Sequence, residues 1–216
     1  MTLSSSGRAY AGESQTERIA RRRQQFLDAG LEVFGTTGYR KATVRQLCRQ
    51  AALTDRYFYE SFTSLEDLLV AVYEREFDHL QQTVLSVLAD ESVTGDLMGI
   101  VEHALNALFE MASEPRVARV CWLEVLGVSA RVDGVYTHTI ERFADLVVSF
   151  ARLRLRSLAL SEDEARMLGI ALIGAVSQPV THWVLGGYRE DRATMVAATS
   201  RVFRGVMEGL RTAPES

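Results

Sequence analysis

Between Thr43 and Tyr59 the chain groups side chains suited to holding a polyanion. Thr43 is followed three residues later by Gln46, Thr54 is followed directly by Asp55, Arg56 and Tyr57, and a further phenol, Tyr59, comes two residues on. A Thr with a Gln at that spacing is a capping box, which marks the start of a helix. The first turn of a helix carries free N–H groups and a partial positive charge, and a hydroxyl beside them completes an anion site. Arginine can donate two parallel bonds to a guanine edge, aspartate can accept from cytosine, and a tyrosine ring can pack on a thymine methyl.

Bond-breaking chemistry finds little support in the sequence. There is no Ser/His/Asp order, no Cys/His cluster with metal-ligand spacing and no Gly-rich phosphate loop. Glu76 and His79 have the Glu-x-x-His spacing of carboxylate-bridged metal helices, but that site takes two such pairs plus two more carboxylates, and only one pair is present. No catalytic residue, metal or cofactor is expected, and a helical metal-dependent enzyme is the weaker alternative.

The elements that position these groups follow from caps and periodicity. Ser14 and Glu17 predict a first helix starting near Glu17 and ending near Gly35 to Gly38, with Ile19, Phe26, Leu27, Gly30, Val33 and Phe34 inward. Arg21, Arg22 and Arg23 are left for solvent or phosphate. A short second helix follows Thr43, with Val44, Leu47, Cys48 and Ala51 inward. Thr54 can cap a third, Asp55 to Phe62, in which Phe58 and Phe62 share a face. Two short helices joined by a turn of three or four residues form a helix-turn-helix. Ser64 with Asp67 caps a long fourth helix, Leu65 to about Leu88.

Further helices are expected over Gly95 to Met111, Pro115 to Leu126, Ser129 to about Leu158, Ser161 to the Gly186-Gly187 pair, and Ala193 to Leu210 after Asp191. The class is all-α, with about nine helices. A flexible arm (1–16) would precede a helix-turn-helix head (17–64) and a helical body (65–216).

Whole-chain properties agree. The 216 residues are 47% hydrophobic and 24% charged, with 3 prolines, as in ordinary globular proteins. The net charge is −4, yet residues 18–62 hold nine basic against four acidic side chains, a local +5 that leaves −9 elsewhere. A basic head on an acidic body suits a protein that meets phosphates at one end. Cys48 and Cys121 sit in apolar helical settings and are expected as free thiols in a reducing compartment. The N-terminus lacks the apolar core of a signal peptide. The longest unbroken apolar run, within Met167 to Val176, is too short to span a bilayer, and no strongly basic amphipathic helix supports a membrane-surface role. A cytoplasmic protein with no membrane partner is expected.

The stretch Thr43 to Leu69 resembles the DNA-binding signature of the tetracycline-repressor (TetR) family. The resemblance covers about residues 17 to 70 and includes Phe34, Gly38, Tyr39, Thr43, Leu47, Ala51, Tyr59, Phe62, Ser64 and Leu68 in order. It implies a DNA-binding transcriptional regulator, by default a repressor released from its operator by a small organic molecule. Thr43 and Tyr59 would contact phosphates, while Thr54, Asp55, Arg56 and Tyr57 correspond to base-reading positions. Arg45 is assigned to the same DNA-binding set. Three departures stand out: Ala52 where the turn usually has Gly, Leu65 where Lys is common, and Glu60 where a neutral or basic residue is commoner.

The resemblance also implies a homodimer built on the last two helices. Small residues recur there, among them Gly169, Ala171, Gly174 and Ala175, then Ala197, Ala198, Gly205 and Gly209, and a two-fold operator needs a two-fold reader. A ligand pocket would lie among the middle helices, with His103, Phe109, Trp122, Tyr136, His138, Gln178, His182 and Trp183 as candidates for an aromatic or amphipathic effector.

Overall fold

The computed structural model describes residues 14–89, 97–154 and 160–212. Among the described residues there are nine α-helices and no strand. They are α1 Gln15–Thr36, α2 Val44–Ala51, α3 Asp55–Ser61, α4 Leu65–Ala89, α5 Leu97–Ala112, α6 Pro115–Arg119, α7 Ala130–Arg154, α8 Glu162–Leu185 and α9 Arg192–Thr212. A 3-10 turn, Tyr39–Lys41, lies between α1 and α2, and a π turn, Val120–Glu124, continues α6.

The helices start where local hydrogen bonding dictates. Reciprocal capping boxes join Ser14 to Glu17, Thr43 to Gln46 and Ser161 to Glu164. Each satisfies two N–H groups that a helix end would leave unpaired. Ser64 accepts from the Asp67 N–H at 3.0 Å, and Asp191 from the Thr194 N–H at 2.7 Å. Thr54 occupies the N-cap of α3 without a side-chain bond; Asp55 accepts from the Arg56 N–H at 2.9 Å instead.

In the head, the edge of Phe26 meets Phe58 at 5.4 Å and Phe62 at 6.5 Å, so α1 carries the aromatic pair of α3 on its inner face. Leu47 of α2 is fully buried in the same core. The α1 helix crosses α4 at Gly30, where an added Cβ would lie 2.9 Å from Val72 Cγ2. In the body α5 packs on α9 and α7 on α8. Gly169 closes the second contact, since a Cβ there would meet the Ala144 carbonyl at 2.9 Å.

Several expectations are corrected. Helix α1 begins at Gln15, directly after its cap, and Ile19 is 44% exposed because the first turns of α1 project beyond the head. Cys121 is fully buried, whereas Cys48 is only half-buried. The expected helix over Pro115 to Leu126 is α-helical for only five residues and then widens into the π turn, which turns three consecutive side chains, Val120, Cys121 and Trp122, into the core. Residues 95 and 96 and residues 155–158, expected as helix, lie outside the described residues.

Helix α8 is, among the described residues, the one helix long and apolar enough to cross a membrane by length and composition. Counting an unbroken apolar run missed this, because isolated polar residues interrupt the run without ending the helix. Leu172, Val176, Val180 and Trp183 bury one side of α8, while Met167, Ala171, Gly174, Gln178, His182 and Leu185 form an exposed stripe at helical spacing on the other.

Candidate nucleic-acid interface and ligand cavity

The turn between α2 and α3 aims the head's polar surface. Ala52 closes α2 in the left-handed region (φ 53°, ψ 39°), so the chain adopts the glycine-like conformation at a modest cost in strain. Helix α3 then presents Thr54, Asp55 and Arg56 to solvent, with Arg45 of α2 and Thr43 exposed beside them. The Thr43 hydroxyl accepts from the Gln46 N–H at 3.2 Å and donates to Gln46 Oε1 at 3.0 Å. Tyr59 is 60% exposed and leans edge-on against Phe58 at 5.3 Å, which sets its hydroxyl outward.

Two parts of this surface differ from expectation. Tyr57 is half-buried, and one face of its ring is covered by the Arg22 guanidinium, 3.8 Å from the ring centre. Arg23 lies over Phe62 at 4.3 Å and donates to the Ser61 carbonyl at 3.1 Å. Arg22 and Arg23 thus brace α1 against α3. Cation and ring attract because the ring face is electron-rich. Arg22 and Arg56 also both meet the Glu60 carboxylate, at 3.7 and 3.0 Å.

Head and body are joined by α6 and the π turn. Glu124 accepts from the Tyr39 N–H at 2.8 Å and from Arg119 Nε at 2.8 Å, while Arg119 Nη1 donates to the Thr36 carbonyl at 3.0 Å. Arg116 reaches Glu32 of α1 at 2.6 Å. Gly38 stands at φ 89°, a conformation that requires glycine, and a Cβ there would press on the Arg119 guanidinium at 2.9 Å and on Glu124 Oε1 at 3.1 Å. None of it was visible as a site in the sequence.

The body holds an apolar cavity of about 150 Å³ between α4, α5, α7, α8 and α9. Leu105, Phe143, Leu172 and Phe203 are among its lining residues, and all of its lining residues are apolar or glycine. A second cavity of about 30 Å³ shares Leu80, Leu108, Phe143, Ile173 and Val176 with it and adds Trp122, Tyr136, Thr139 and Ser177. The two are neighbours with shared walls, the larger aliphatic and the smaller bordered by hydroxyls. Burial raises the Tyr136 phenol, so it stays neutral and available as a donor.

Of the sequence candidates, Trp122 and Tyr136 line the smaller cavity. Phe109 and Trp183 meet edge to face at 6.0 Å in the core, and Trp183 Nε1 donates to the Glu190 carbonyl at 2.8 Å. His103, His138, Gln178 and His182 are exposed, with His103 Nδ1 2.7 Å from the Gly99 carbonyl of its own helix. Glu76 of the Glu-x-x-His pair is engaged by Arg75 at 2.8 Å.

Comparison with known proteins places this geometry. Residues 26–72 match the family described as bacterial regulatory proteins, tetR family. The HTH-type transcriptional activator FasR of Mycolicibacterium smegmatis is 25% identical over 195 residues, 89% of this chain and 86% of that one. The fatty acid degradation regulator FadR from Bacillus halodurans has the same fold, with a TM-score of 0.72 at 19% identity over 88% of this chain and 96% of that one. So does the regulator FadR from Bacillus subtilis, solved in complex with stearoyl-CoA, with a TM-score of 0.69 at 18% identity over 83% and 96%. Residues 26–72 thus match the head of the tetR family, the fold seen in regulators with that head extends through the body, and the chain is a DNA-binding transcriptional regulator.

Proposed function

We propose that the protein acts in the cytoplasm as a homodimer that releases operator DNA when an amphipathic molecule with a long aliphatic chain enters the body. The observation that carries this reading is that Trp122, which lines the smaller cavity, and Glu124, which holds the head at Tyr39, belong to the same π turn. An occupant that displaces Trp122 acts on the head through one turn of backbone. The all-apolar chamber suits an aliphatic chain, and the hydroxyls of Tyr136, Thr139 and Ser177 border the neighbouring cavity. The stearoyl-CoA held by the Bacillus subtilis FadR is a molecule of that chemistry.

On the DNA side Thr43 and Tyr59 serve phosphates, and Arg45, Thr54, Asp55, Arg56 and Tyr57 serve the groove, with residues 17–64 as the reading unit. The exposed stripe of α8, with Ala198, Val202 and Gly205 of α9, is the face for the second copy. Small residues there admit close helix approach. Two heads can occupy successive major grooves only at a separation of about 34–36 Å or a multiple. Where the operator overlaps a promoter the bound dimer represses; where it lies upstream the same binding can activate, as the name of the Mycolicibacterium relative has it.

The test is reciprocal titration. Duplex enriched by the protein from a randomised pool is titrated with and without saturating stearoyl-CoA, and stearoyl-CoA is titrated with and without that duplex. Equal losses of affinity in the two titrations, about 5–150-fold, are expected. Tight ligand binding that leaves DNA affinity unchanged overturns the reading. Sedimentation gives a dimer, and Gly174→Arg gives monomers or aggregates.

A further inference from the structure

Glu60 places one carboxylate between two arginines of the DNA-facing surface. Its Oε1 accepts from Arg56 Nε at 3.0 Å within α3, and its Oε2 lies 3.7 Å from Arg22 Nη1 of α1. Arg22 is also stacked on Tyr57, one residue along from Arg56. The Arg56 side chain is 81% exposed, and ion pairs this open contribute little to folding. A carboxylate on a face that meets phosphates would in addition repel them. The arrangement therefore weakens DNA binding and returns almost nothing to stability.

We propose that Glu60 is a specificity-determining residue that restrains Arg22 and Arg56 in the free protein and so suppresses binding to DNA of arbitrary sequence. This rests on the DNA-binding reading above. To neutralise a phosphate, either arginine must give up a carboxylate, exchanging one anion for another with little net gain. Only Nε of Arg56 is held by Glu60, so its two Nη groups can meet the parallel acceptors of a guanine edge with the pair intact; a neutral base is read without the exchange that a phosphate requires. Glu60 discriminates by penalising every non-cognate engagement.

The experiment uses the full chain, its Glu60→Gln and Glu60→Ala variants, and two probes: a duplex enriched from a randomised pool by the unmutated protein, and a scrambled duplex of equal length. Each affinity is measured across a salt series. Both variants should bind the scrambled duplex roughly three- to tenfold more tightly, from two ion pairs lost and one repulsion removed. Binding to the enriched duplex should change less than twofold. The log–log salt slope on scrambled DNA should steepen by up to about 1.8, two phosphate contacts at about 0.9 each, and adding Arg22→Ala should return about half of that. Equal tightening on both probes, or an unchanged slope, overturns the proposal. Failure of the unmutated protein to enrich any sequence overturns the DNA-binding reading itself, and the two failures are distinct.

Discussion

Gly35 of α1 lies against the backbone of Arg116 so closely that a Cβ on it would sit 2.5 Å from the Arg116 Cβ and 2.7 Å from its Cα. Backbone cannot step aside as a flexible side chain can. Gly35→Ala must therefore part α1 from α6 or strain both, at a cost of about 1–3 kcal/mol. At about 2–4 °C per kcal/mol for a chain of this size, a thermal melt should show a fall of several degrees. An unchanged melting temperature would mean that the joint is looser than its geometry.

Glu124 is the acceptor that ties this joint to Tyr39 and Arg119. In Glu124→Gln the amide oxygen can still accept one of these bonds, but the charge that holds Arg119 is gone. Stearoyl-CoA affinity and ligand-free DNA affinity should each stay within about threefold, while the coupling between them falls toward the low end of the usual 5–150-fold range. Full coupling in the variant would show that the signal passes elsewhere, with α4, which runs from head to body, as the alternative route.

The head was legible in the sequence because its determinants are local. Capping boxes span three residues, and the Phe58–Phe62 face spans one turn. The joint was not legible, because its bonds connect Arg116 with Glu32 and Glu124 with Tyr39 across more than 80 positions. The fates of Arg22 and Arg23 were hidden for the same reason: helical periodicity assigns them an outward face without saying that α3 covers it. The family resemblance also proposed eight polar and aromatic candidates for the pocket. Which face of α5, α7 or the π turn points inward depends on its neighbours, so Trp122 and Tyr136 line the smaller cavity while His103 and His138 are exposed.

Ala52 sits at φ 53° in the turn of the head. A side chain in that region costs about 1–2 kcal/mol, while glycine costs about 0.5–1 kcal/mol in unfolded-state entropy. Ala52→Gly should stabilise the protein by about 0.5–1 kcal/mol, read from urea unfolding. A loss of stability would contradict the left-handed turn.

Acid should weaken the fold through its caps. Thr63 and Arg131 hold Asp67 below the usual carboxylate range, and Ser14, Ser161 and Thr194 do the same for Glu17, Glu164 and Asp191. A carboxylate whose folded pKa is depressed stabilises the protein above its unfolded value, about 4, and that stability is lost as pH falls through the folded value. The melting temperature should be level near neutrality and decline below about pH 4 to 5. Asp67→Asn should lower the plateau and flatten the decline. A melt that does not fall in acid would mean that these bonds are equally present in the unfolded chain.

Ile173 borders both cavities, the aliphatic chamber and the narrower one with Trp122 and Tyr136. Each methylene that an acyl chain buries is worth about 0.8 kcal/mol, so affinity should rise about fourfold per added carbon while the chain still fits, then level off. Ile173→Trp adds bulk at this shared border. In this variant the rise with chain length should stop several carbons earlier, and the longest acyl chains should bind least well relative to the unmutated protein. Ligand-free DNA affinity should be unchanged, because Ile173 touches neither the head nor the π turn's bonds to it. Isothermal titration with an acyl-CoA series of increasing length separates the outcomes. If affinity is independent of chain length in the unmutated protein, the chamber is not the acyl site, and an aliphatic effector is the wrong class.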